Sequence, residues 1–214
     1  YNGVAVGDIL CAKHGSGYTV KPSDITEEDK ANAVGVVFKV GPGEGDSADN
    51  YPYLSTIHGY AIALEYANEE KRTKWGTDIY LIVGTSESTS DFLGYSNTEK
   101  IKKMSLYDST NFPACYYATN YPVNNIPGRS SGWYLPSAGQ WVTLAESLSI
   151  LNNSITIVGG KSAIPTSSGA WSSTEFRYVE GGVDIADVYI MFPNLTIDIV
   201  LKTNSRYVRS CITF

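Results

Sequence analysis

The chain has 214 residues, 43% of them hydrophobic, and carries 16 lysines and arginines against 22 aspartates and glutamates, for a net charge of −6. That is enough apolar material for one sizeable core, so residues 1–214 are read as a single domain. The basic residues are scattered and supply no phosphate-neutralising stripe, which excludes nucleic acid as a partner, and no apolar run is long enough to span a membrane.

Taken in order, Val4 to Ala12 reads as a first strand, with Gly15-Ser16-Gly17 as the turn after it. The acidic run Asp24 to Lys30 opens a short solvated helix or turn on a Thr26-x-x-Asp29 start; a cation site is the sharper alternative, but its acids lack the alternating spacing of a calcium loop. Val34 to Val40 is a strongly apolar strand ended by Gly41-Pro42-Gly43, and His58 to Glu65 reads as its partner. Trp75 and Ile79 to Val83 add a further apolar stretch before the Ser/Thr-rich loop Thr85 to Ser90. Asn97 to Ile101 has the cap-then-charged pattern of a helix start, Phe112 to Tyr121 is a second helical segment, and Asn124 to Ser131 is a flexible connector.

The most informative stretch runs from Gly132 to Leu144. Pro136 biases Leu135 towards an extended backbone, Ser137 is placed to cap a helix starting at Ala138, and Gln140 completes the capping box. Trp141, Leu144, Ala145, Leu148 and Leu151 then fall on one apolar face, with Asn152-Asn153 as the expected stop. From Ile155 onward the chain is β-rich, with strands at Trp171 to Glu175, Asp184 to Phe192, Thr196 to Lys202 and Tyr207 to Phe214. Turns are expected at Gly181-Gly182 and Pro193-Asn194. Trp133, Trp141 and Trp171 are assigned to the core.

Three separated motifs carry a resemblance. Gly132-Trp133-Tyr134-Leu135-Pro136-Ser137, then Trp171-Ser172-Ser173-Thr174-Glu175, then Val208-Arg209 with Phe214 at the end, resemble the signature of bacterial surface domains with a C-type-lectin-like fold. The pair Gly35-Val36-Val37-Phe38 and His58 to Leu64 is similar to the N-terminal part of that family in surface and fimbria-associated proteins of gut bacteria. The resemblance implies an α+β fold with twisted antiparallel sheets and two or three flanking helices, a β-rich part over 1–90 packed on a lectin-like core over 91–214, and an extracellular or outer-surface location. Tyr1 in place of Met suggests a mature or trimmed chain. The Ser137 helix also looks like that of formylglycine-generating enzymes, but the catalytic segments and paired reactive cysteines of that family have no counterpart here.

Chemistry is sparse. His14 and His58 are the only histidines, in no metal-ligand spacing, and there is no G-x-S-x-G elbow, so no catalytic residue, metal or cofactor is assigned. Phe192-Pro193-Asn194 lacks the carboxylate that a calcium-dependent sugar site of the animal lectin kind uses. Cys11, Cys115 and Cys211 allow at most one bridge; Cys115–Cys211 is the pairing to test in an exported domain, with reduced buried thiols as the alternative. The 16 tyrosines either face outward as stiff amphipathic contacts or line the strands of the core. Arg177, Tyr178, Glu180, Asp184, Asp187 and Tyr189 combine charge, aromatic faces and hydrogen-bonding groups in one late segment, and form the candidate binding set. The reading is a non-catalytic adhesin or binding module for a host or microbial glycan or protein. A structural fimbrial subunit, with Val4 to Ala12 as a donor or edge strand and fimbrial subunits as partners, is the first alternative. An enzyme gathering His58 or Cys115 with carboxylates is the second.

Overall fold

A computed structural model describes residues 1, 3–123 and 125–214, so that Asn124 of the expected connector lies outside the described residues. Its first strand, β1 (Ile9–Lys13), starts later than the Val4 expected. The preceding residues turn instead, because Gly7 takes a φ of +91° and Asp8 ties back to the Ala5 amide at 2.9 Å. The next turn falls at His14-Gly15, both with positive φ, and Ser16-Gly17 already belong to β2 (Ser16–Val20). β1 pairs on its other side with β3 (Ala33–Val40), so it is an interior strand and offers no free edge.

β3 pairs with β4 (Gly59–Tyr66), and the last strand of the chain, β8 (Arg209–Thr213), closes an antiparallel sheet of order β2-β1-β3-β4-β8. The continuous apolar run of β3 follows from burial on both faces. Leu10, Val37, Ala61 and Ile212 face a cluster that includes Ala114, Cys115 and Ala118 of the helix α3 (Pro113–Thr119), whereas Ile9, Val36, Ile62 and Cys211 face Trp141, Leu144, Leu151 and Ile155. Cys115 and Cys211 therefore sit on opposite sides of the sheet. All three cysteines are buried and unpaired, and the Cys115–Cys211 bridge does not form.

The helices follow cap chemistry. α1 (Glu27–Ala31) starts on a capping box between Thr26 and Asp29. α2 (Gly94–Lys102) starts before the expected Asn97, which is an interior, buried residue: its amide accepts from the Ser86 N–H at 2.9 Å and donates to Ser173 Oγ at 3.2 Å. α4 (Ala138–Glu146) has the expected box, with the Ser137 hydroxyl accepting from the Gln140 N–H and the Gln140 side chain accepting from the Ser137 N–H at 2.8 Å. After a break at Ser147, α5 (Leu148–Ile157) runs straight through Asn152-Asn153. Asn152 does not stop it because its side chain bonds outward, to Ser162 and to the Ala163 amide. The stop is Gly159, at φ +78°, where the Gly159 and Gly160 amides return to the Thr156 and Ile155 carbonyls as a Schellman cap.

A second antiparallel sheet, β5-β6-β7, comprises β5 (Ala170–Glu180), β6 (Val183–Met191) and β7 (Ile197–Val200). β5 continues well past the Glu175 expected as its end. The architecture is α+β, with two antiparallel sheets and five α-helices among the described residues. No described helix is long and apolar enough to cross a membrane. Trp133, Trp141 and Trp171 are all buried, as is Trp75, and each indole N–H meets a backbone carbonyl.

A two-faced hairpin as the candidate binding site

Gly181 and Gly182 both take positive φ, the geometry of the tight turn whose twist matches a β-hairpin. The turn fixes the register: Glu180 opposes Val183, Tyr178 opposes Ile185, Arg177 opposes Ala186 and Phe176 opposes Asp187. Because directly opposed residues share a face, the six candidate residues divide. Tyr178, Glu180, Asp187 and Tyr189 lie on one face with Phe176, while Arg177 and Asp184 lie on the other with Glu175. The structure therefore does not bring all six together.

On the aromatic face, Phe176 is the hub. Its ring centroid lies 5.9 Å from that of Tyr178 and 5.8 Å from that of Tyr189, the latter edge-on. All three rings are half-buried, and beneath them Asp187 is only 7% exposed. The Tyr178 hydroxyl donates to Asp187 Oδ2 at 3.2 Å; Asp187 Oδ1 has no partner among the described residues. By register this face of β5 and β6 carries the acids Glu180 and Asp187 and no basic side chain.

The other face is stabilised by ion pairs. Arg177 is paired with Glu87 through its side chain, and its backbone N–H donates to the same carboxylate at 3.2 Å. These two residues, with Ile82, Tyr178, Val179 and Asp184, line a depression of about 330 Å³ near the hairpin tip. Deeper in, Glu175 accepts from the amides of Val83, Gly84 and Thr85 at 2.8–3.1 Å and from Lys202 Nζ at 2.6 Å. Lys202 also donates to the Leu81 carbonyl at 2.7 Å and sits over the Trp75 ring at 4.8 Å. The irregular Ile79 to Thr85 segment is thus pinned to the sheet by one buried pair.

The motif residues are accounted for by packing. Trp141 donates to the Trp171 carbonyl at 3.0 Å, Ser173 N–H donates to Pro136 O at 2.8 Å, and Thr174 Oγ1 accepts the Ala138 N–H at 2.9 Å, one of the amides that a helix start leaves without an internal partner. Arg209 is fully buried and gives its guanidinium to four carbonyls, those of Ala63, Leu64, Lys161 and Ser162, at 2.8–3.1 Å.

His58 and Cys115 are both engaged in packing. His58 packs on Tyr1, with ring centroids 5.0 Å apart, while Cys115 lies within the α3 cluster, where burial pushes its thiol up to about 12. Of the acids of the Asp24 to Lys30 run, Asp29 is engaged in the α1 cap, Glu27 and Glu28 in surface pairs with Lys30 and Lys13, and Asp24 accepts from the Ser23 hydroxyl. No group of three or more histidines, cysteines and acids placed to hold a metal ion occurs among the described residues. Phe176 and Lys202 were not among the candidates. Phe176 lies one residue past the expected end of its strand, and the Gly181-Gly182 turn, counted backwards, is the signal that places it opposite Asp187. Comparison of the chain with protein-family models, curated proteins and solved structures finds no match.

Proposed function

We propose that this chain is a non-catalytic binding module of C-type-lectin-like fold, displayed at a bacterial surface and acting as an adhesin towards a glycan or a protein. The observation that carries the reading is the aromatic face: three half-buried rings around an acid, on a hairpin stiffened from behind by one buried ion pair. Tyrosine and phenylalanine faces give large contact area with little side-chain entropy to lose, and a stiff support keeps that loss small. The fold and location rest on the order of the three motifs and on the α+β arrangement with two antiparallel sheets. The absence of catalysis is supported by the burial of the three thiols, which leaves none of them a ready nucleophile. Probing glycan arrays and arrays of host extracellular proteins with the purified protein tests the reading. A specific hit is expected, and signals at background on both would overturn it.

A further inference from the structure

We infer that the aromatic face takes a cationic group on a slim aliphatic stem, a lysine side chain of a partner protein, with Asp187 as its counter-ion and Phe176, Tyr178 and Tyr189 as its walls. The inference rests on the reading of the chain as a binding module and names the chemistry of that site. A buried carboxylate oxygen without a donor is costly, so its presence on an otherwise aromatic face calls for a group that supplies one. The chain's own cations do not supply it: Lys202 is taken by Glu175 and the Leu81 carbonyl, and Arg177 is on the opposite face with Glu87. An acid framed by aromatic rings is complementary to a cation, because the ring faces are negative and attract the same charge that the carboxylate does. The second acid of this face, Glu180, and the lack of any basic side chain on it add to the preference. Shape selects within the cations and against sugars. Asp187 is 7% exposed and its Oδ1 is closed to solvent, so a ligand reaches it only by parting the half-buried rings, which a narrow ammonium-tipped chain can do, whereas a pyranose would rest on the rings without reaching the acid.

The test is an NMR titration of ¹⁵N-labelled protein with N-acetyl-lysine methylamide at constant ionic strength, with methyl β-galactoside as the neutral probe, on the wild type and on Asp187→Asn. Saturable shifts confined to Phe176–Tyr189 are expected for the lysine probe, and binding at least about tenfold weaker in Asp187→Asn, where a charge-assisted contact becomes a neutral one. Thermal melting separates this loss from unfolding: Asp187→Asn is isosteric and keeps an acceptor for the Tyr178 hydroxyl, so its melting temperature should stay well above the titration temperature. No shift with the lysine probe, or equal binding by Asp187→Asn, would overturn the inference. Shifts with the galactoside alone would overturn it while leaving the binding-module reading intact; array signals at background would remove both.

Discussion

The Lys202 ammonium lies 2.6 Å from the Glu175 carboxylate, and the two side chains are 1% and 0% exposed. Between them the pair holds the Ile79 to Thr85 segment against the three-stranded sheet through one carbonyl and three amides. Removing one charge strands the other. Glu175→Gln is expected to cost about 3–5 kcal/mol, the usual penalty of a buried ion left unpaired, and Glu175→Gln combined with Lys202→Met should be less damaging than Glu175→Gln alone. Denaturant unfolding of the single and double variants checks the order, and a double variant weaker than the single would contradict it.

The same pair sets a pH dependence. Burial works to raise the Glu175 carboxyl, but the Lys202 charge and the bonds from Lys202 and the amides outweigh it and hold the group below its ordinary 4.5. A depressed folded value means that the stabilisation is fully present above pH 4.5 and is lost as pH falls through the lowered value. Melting temperature should therefore decline on acidification below pH 4.5, and decline less steeply in Glu175→Gln. Parallel pH profiles would show that Glu175 is not the group responsible.

Gly139 offers a test of how closely α4 is docked. Alanine in place of a helical glycine ordinarily gains up to about 1 kcal/mol. Here a Cβ would come within 2.4 Å of the Asp91 carbonyl oxygen and of the Ser90 carbonyl carbon, backbone atoms that cannot swing aside. Gly139→Ala should accordingly destabilise the protein, by about 1–3 kcal/mol as overpacking does. A rise in melting temperature would mean that this helix start is more loosely seated than described.

The three thiols provide a chemical test of the core. Burial pushes Cys11 and Cys115 up to about 12 and Cys211 well above its usual range, so none is a ready nucleophile. A thiol reagent should find no fast-reacting group in the native protein and all three in denaturant, without prior reduction. Only one reactive thiol in non-reducing denaturant would reveal a bridge.

How much of this was legible in the sequence varies with the range of the interaction. The α4 start, with Ser137 and Gln140 three residues apart, was readable because a capping box is local. The failure at Asn152-Asn153 came from assigning a stop by residue type when a side chain bonding to Ser162 made the helix compatible with asparagine and the Gly159-Gly160 cap ended it. In β6, Ile185, Val188 and Ile190 break simple alternation because the strand is covered on both faces, Ile185 with Asp187 and Val188 with Glu175. The division of the six candidate residues was implicit in the Gly181-Gly182 turn, since its register determines which side chains share a face. The Glu175–Lys202 pair was not readable. It joins residues far apart in the chain through a segment without regular structure, and no local pattern announces it.

In the proposed function the Glu175 side of the sheet supplies stability and the aromatic side recognition. Array binding of the wild type, of Tyr178→Ala/Tyr189→Ala and of Glu175→Gln, each with its melting temperature, measures that division most directly. The prediction is a specific signal that the tyrosine double variant loses while still folded at the assay temperature, and that Glu175→Gln retains below its own melting point. A signal unchanged in the tyrosine double variant, or abolished in folded Glu175→Gln, would contradict the account.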